Sequence, residues 1–126
     1  MKIKVSKATP LQLDWLVATC EGGTGFWYDT VATYWVKIDG KDRALSKGWA
    51  QSFTPSTDWA QGGPIIEREG IWLRKLGKEW EALGGWFPES IIQPGPTPLI
   101  AAMRCYVTSQ LGDEVEVPDE LCGVSV

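Results

Sequence analysis

Phe53-Thr-Pro-Ser-Thr-Asp-Trp-Ala-Gln-Gly-Gly-Pro-Ile-Ile-Glu-Arg-Glu-Gly70 is the stretch on which the rest of the chain is arranged. Pro55 fixes its own φ, and Ser56, Thr57 and Asp58 are side chains that cap helices and close turns. Trp59-Ala60-Gln61 allows one helical turn, Gly62 and Gly63 permit positive φ, and Pro64 then stops the helix. Ile65 and Ile66 begin a buried strand that runs to Leu73, with a break at Gly70. The stretch reads as a capped corner, an indole at its centre and bare backbone beside it, feeding a strand.

Two helices flank this corner. Thr9-Pro10-Leu11-Gln12 is a helix start, with Thr9 as N-cap, Pro10 in the first turn and Gln12 completing a capping box. Leu13, Leu16, Val17 and Cys20 follow as one apolar stripe until Gly22-Gly23. Thr97-Pro98-Leu99 repeats the opening, and Leu99, Ala102, Met103, Tyr106 and Val107 form a second stripe that ends at Gly112. Between them, residues 24–38 are dense in aromatic and β-branched residues and read as strand, divided near Asp29-Thr30. Asp39-Gly40 is a hairpin turn. Residues 41–52 read as loop, Leu76-Gly77-Lys78 as a turn, Trp80–Leu83 as strand, and 84–98, rich in Gly and Pro, as a long irregular loop. Lys2–Ser6 and Asp113–Pro118 are short terminal strands, with Ile3, Val5, Val115 and Val117 inward. The expected fold is α+β: a single domain over residues 1–126, with a twisted antiparallel sheet and two main helices near 10–21 and 98–111.

A chain of 126 residues can bury one core without metal or disulfide. It has eight tryptophans and no histidine, which removes the commonest general base and metal ligand. Three cysteines, Cys20, Cys105 and Cys122, lack a Cys-x-x-Cys spacing and suit a reducing cytoplasm. A net charge of −4 disfavours binding to polymeric nucleic acid. The basic start Met1–Lys7 lacks the apolar run of a signal peptide, and Leu99–Met103 is far too short to span a membrane. No nucleophile elbow, phosphate-binding loop or metal signature is present, so no catalytic residue, metal or cofactor is expected. Glu67, Glu69, Glu79, Glu81 and Glu89 read as solvated carboxylates.

Pro55–Gly70 and Gly95-Pro-Thr-Pro-Leu-Ile-Ala-Ala-Met-Arg-Cys-Tyr-Val107 resemble the NinX family of lambdoid phages. Leu13-Asp-Trp-Leu-Val-Ala18 and Leu111-Gly-Asp-Glu-Val-Glu-Val-Pro-Asp-Glu-Leu121 are similar to it as well, whereas 71–92 carry less of the likeness. The resemblance implies a phage accessory protein in the host cytoplasm. It carries over no catalytic residue.

Two readings of the corner stand side by side. In one, Asp58 or Ser56 caps the turn's own donors and Trp59 plugs the core. In the other, the turn's N–H groups around Ser56, Thr57, Asp58, Gly62 and Gly63 meet a phosphate, Trp59 or Trp27 stacks a base, and Arg68 and Arg104 supply charge. Arg68 is expected on a strand, opposite in face to Glu67 and Glu69. Eight indoles exceed what a small core buries with every indole N–H satisfied, so one or two are expected at a pocket or interface. The expected function is non-enzymatic capture of a nucleotide-like small molecule by a homodimer or higher homo-oligomer, in concrete form a counter-defence sponge for an immune signalling nucleotide. The alternative is a protein–protein module acting through exposed tryptophans.

Overall fold

The last helix is the element on which the others are laid. In the computed structural model, which describes residues 1–29, 33–84 and 90–122, α3 (Pro98–Leu111) buries Leu99, Ile100, Ala101, Ala102, Met103, Cys105, Tyr106 and Val107. Thr97 caps it, its hydroxyl accepting the Ile100 N–H at 3.2 Å, and proline occupies the first turn where its missing N–H costs nothing. On one side lies α1 (Pro10–Cys20), whose capping box forms as expected: Thr9 N–H to Gln12 Oε1 at 3.0 Å and Gln12 N–H to Thr9 Oγ1 at 3.4 Å. Leu13, Leu16 and Val17 of α1 are fully buried in the same core as α3.

Three small antiparallel sheets surround the helices instead of the one twisted sheet expected from sequence. β1 (Lys2–Lys4) pairs with β8 (Glu114–Glu116), with Val115 buried between exposed glutamates. A second sheet has the order β2 (Thr24–Tyr28), β3 (Tyr34–Ile38), β4 (Lys41–Ala44). The third has the order β5 (Trp72–Leu76), β6 (Glu79–Gly84), β7 (Ile91–Gly95).

Four expectations are corrected. Residues 41–44 are strand and not loop, because the Asp39-Gly40 turn has both residues at positive φ (53° and 75°) and turns the backbone straight back onto β3. Residues 65–69 are helical: α2 runs Trp59–Glu69 through Pro64, which forfeits one hydrogen bond to an exposed residue, Ala60. Gly62, Ile65, Ile66 and Glu69 recur at helical spacing, and Gly70 ends the helix in the left-handed region (φ 66°, ψ 37°). The strand expected over 65–73 therefore starts only at Trp72. Residues 91–95 form β7, and Pro94 is admissible there because β7 is an edge strand. Residues 85–89, which include Trp86 and Glu89, lie outside the described residues, as do Thr30, Val31 and Ala32.

Gly62 and Gly63 are not at positive φ. Their roles differ. A Cβ on Gly62 would overlap the Pro55 carbonyl oxygen and stand 2.6 Å from Leu99 Cδ2, so this glycine lets α2 close on both the corner and α3. A Cβ on Gly63 would meet only Trp59 at 3.9 Å. Gly62→Ala is expected to lower stability by about 1–3 kcal/mol through overpacking. Gly63→Ala is expected to raise it by up to about 1 kcal/mol through helix propensity. Urea midpoints for the two variants, read against the parent, check the contrast.

Candidate functional site

The corner holds itself together. Ser56 is 1% exposed, and its N–H donates to Asp14 Oδ1 at 2.8 Å, while its hydroxyl stands 3.5 Å from the Pro10 carbonyl. The Thr57 and Asp58 N–H groups both go to the Thr54 carbonyl. Asp58 is the N-cap of α2, accepting the Ala60 N–H at 3.0 Å. Gln61 braces the other side: its Oε1 accepts the Thr54 N–H at 2.7 Å and its amide donates to Ser52 O and Asp58 Oδ2. The bland reading of the corner's polar groups is the one observed. Trp59, however, is no core plug, being 54% exposed. It borders an open depression of about 310 Å³ together with Lys47, Gly48, Ser52, Thr57 and Asp58.

The arginines are also spent internally. Arg104 donates from Nη1 to Pro94 O and from Nη2 to Ala8 O, both at 2.9 Å, and its buried Nε has no partner. Burial lowers its pKa, with Glu79 opposing. Arg68, on the last turn of α2 and not on a strand, grips Glu21 with both Nη atoms (3.0 and 3.1 Å) and lies 5.5 Å over the Tyr106 ring. The Tyr106 hydroxyl donates to the same carboxylate at 2.7 Å. Arg104 meets the Ala8 carbonyl just before α1 and the Ser56 hydroxyl stands beside the Pro10 carbonyl at its start, while Gly62 and Gly63 lie inside α2.

What the structure gathers on the surface is aromatic. Trp27 and Trp35 are direct cross-strand partners on β2 and β3, their rings 6.3 Å apart and 12° from parallel. Trp49 meets Trp35 edge-on at 5.3 Å. The Trp35 indole N–H donates to Asp29 Oδ2 at 3.0 Å, which fixes the middle ring. Arg43 fixes the loop carrying Trp49, donating to Gln51 O at 3.1 Å and Ser52 O at 2.7 Å from above the Phe53 ring. Gly48, beside Trp49, lines the depression that Trp59 borders, so the row Trp27–Trp35–Trp49 continues toward Trp59. Trp27 and Trp49 are 37% and 42% exposed. Trp35, Lys47 and Arg43 were not singled out from sequence. The division of the aromatic stretch 24–38 near Asp29-Thr30 into two arms is the signal from which the Trp27–Trp35 pairing follows.

A larger hollow, about 670 Å³, is bordered by Ile71, Trp72, Ile91, Cys105 and Tyr106. Its reactive groups are quiet. Burial pushes the Cys105 thiol up to about 11; Cys20, which does not border the hollow, is pushed up to about 12 by burial together with Glu21, in both cases the opposite of an activated nucleophile. Burial and the bond to Glu21 raise Tyr106 as well. Among the described residues no cluster of three or more His, Cys, Asp or Glu could hold a metal ion, and no helix is long and apolar enough to cross a membrane.

The family model described as Bacteriophage P22, NinX matches residues 4–110, and the chain belongs to that family. No curated protein matches it.

Asp14 gives a pH test of the corner. It is 3% exposed, and burial lifts its pKa from 3.8 to about 7 against the opposing pull of Ser56 and Lys47. The fold thus favours the protonated acid. This contribution is fully present below the unfolded value and is lost as pH rises through about 7, at a slope of up to about 1.4 kcal/mol per pH unit. Asp14→Asn keeps an acceptor for the Ser56 N–H and carries no charge. Its urea midpoint is expected to fall less than the parent's between the two pKa values, and equal slopes would contradict the assignment.

Proposed function

We propose that this NinX-family protein is a non-catalytic phage accessory protein that acts in the host cytoplasm by docking on a protein partner through the indole row Trp27–Trp35–Trp49–Trp59. The observation that carries the reading is the row itself: Trp27 stacked on Trp35 and Trp49 edge-on to it, held by Asp29 and Arg43, with Trp27, Trp49 and Trp59 open to solvent. Indoles with few rotatable bonds, fixed before binding, lose little entropy on contact and dominate interface energetics. The rim is polar, with Lys37 and Asp42 paired at 3.8 Å beside the row and Lys47 and Asp58 around the depression.

Capture of a nucleotide-like ligand, with the counter-defence sponge as its concrete form, is the second reading. Its support is now the depression, where Trp59 offers a stacking face and Lys47 an ammonium. The peptide and guanidinium donors first assigned to phosphate are engaged elsewhere, which is why partner docking ranks ahead of it.

The two readings separate by experiment. For docking, immobilised protein retains one stoichiometric partner from infected-cell lysate. Trp49→Ala and Trp59→Ala each weaken that retention by tenfold or more, and Trp72→Ala, on β5, leaves it unchanged. For capture, titration calorimetry with cyclic and ADP-ribose-derived nucleotides gives heat that Trp59→Ala and Lys47→Ala abolish and Trp49→Ala does not. Retention that survives both indole substitutions would sink the docking reading.

A further inference from the structure

β2 has an open edge. It pairs with β3 on one side only, at the end of its sheet. The Asp29 N–H bonds to Thr33 O across the hairpin, and the Leu45 N–H bonds to Tyr34 O on the β4 side. By the alternation of an antiparallel ladder, Trp27 therefore directs its N–H and C=O toward Trp35, while Phe26 and Tyr28 direct theirs away from the sheet. Those outward groups have no hydrogen-bond partner among the described residues. Strands left open in this way are ordinarily guarded by Lys, Pro, a charge or a covering loop. Thr24-Gly-Phe-Trp-Tyr28 has no charged residue and no proline.

We infer that this edge pairs with β2 of a second copy of the chain, antiparallel about a twofold axis at Trp27. In that register Phe26 lies opposite the partner's Tyr28 and Tyr28 opposite the partner's Phe26, so that each couple exchanges both N–H···O=C bonds. Trp27 then faces the partner's Trp27 as the close, non-hydrogen-bonded pair, with Cα atoms about 4.5 Å apart. The arrangement is isologous, which one strand with itself as partner requires. It joins the two three-stranded sheets into one. It also runs the indole row across the axis, with Trp27 stacked on Trp35 on one side and meeting its own copy on the other.

Charge and area bear on the occupant. Each copy carries −4 overall, yet the edge itself is neutral, so self-pairing places no like charges in contact along the strand. One five-residue edge offers less than the roughly 800 Å² per partner of a standard interface, so the dimer should dissociate on dilution in the micromolar range. The inference stands apart from partner docking, which is tested at Trp49 and Trp59.

Sedimentation of the full chain over a concentration series tests it. The parent is expected to show a monomer–dimer equilibrium. Trp27→Lys, which sets two ammonium groups face to face at the axis, and Tyr28→Pro, which removes an outward N–H while leaving the β3 ladder intact, are each expected to give monomer with an unchanged circular dichroism spectrum. Trp72→Lys, on β5, is expected to dimerise like the parent. As a register probe, oxidised Trp27→Cys is expected to form a disulfide-linked dimer well above the parent's background, because the close pair meets the spacing a disulfide needs. A parent that stays monomeric at high concentration, a dimer that survives both edge variants, or a Trp27→Cys protein that links no more than the parent would overturn it.

Discussion

A carboxylate taken out of water holds the architecture together. Asp14, in the middle of α1, accepts the N–H of Ser56 from a segment 42 residues away, and both residues are almost wholly buried. Removing a carboxylate from water is costly, and one peptide donor repays only part of the cost, which is why its pKa climbs to about 7. The contact seats Thr54, Pro55 and Ser56 in the interior and so presents the Pro55 carbonyl to Gly62. Gly62 brings α2 onto Leu99 of α3, and Arg68 at the far end of α2 returns to Glu21 at the end of α1. The helices are thus closed into a circuit by one buried acid, one glycine and one arginine.

That circuit explains why the polar groups of the corner are engaged within the chain. A helix N-terminus binds an anion when its N–H groups lack other partners. Here the Asp58 side chain takes the Ala60 N–H and its carbonyl those of Gln61 and Gly62, while Gln61 takes the donor of Thr54 and Asp14 that of Ser56. Arg104 similarly bridges α3 to the carbonyls of Pro94 and Ala8, tying the edge of β7 to the entry of α1. These groups join elements that are distant in sequence, and hydrogen bonds used that way are not free to recognise anything outside.

Local chemistry made much of this legible. The Thr9 and Thr97 caps, the prolines after them, the Asp39-Gly40 turn and the inward Val115 all follow from rules acting over four residues or fewer. What escaped depends on tertiary context. Pro64 was read as a stop, but a helix tolerates the loss of one hydrogen bond at a wet carbonyl when Ile65 on the opposite face is buried. Gly62 was read as backbone freedom when its function is the absence of a Cβ, which only the position of Pro55 and Leu99 reveals. β4 was missed because its burial is partial and its existence is dictated by the turn before it. Among the site residues, Trp27 and Trp59, expected to stack a base or, for Trp59, to plug the core, both lie exposed. The internal partners of Arg68 and Arg104 were not legible because sequence shows a charge and not what it meets.

The tryptophans carry the last step. The fully buried side chains are aliphatic and small: Leu13, Leu16, Val17, Ala101, Ala102, Met103 and Val107. α3 approaches β7 so closely that a Cβ on Gly95 would stand 2.6 Å from the Ala101 nitrogen, a spacing that admits no indole. None of the described tryptophans belongs to that core, and four of them, Trp27, Trp49, Trp59 and Trp72, are large exposed apolar surfaces. A cross-strand pair such as Trp27–Trp35 steadies a hairpin by itself. The same hairpin gains little from Trp49 held against Trp35 by a loop that needs its own arginine clamp, and nothing from Trp59 on another element. Folding accounts for the first pair, and the rings beyond it are the ones the docking proposal assigns to recognition.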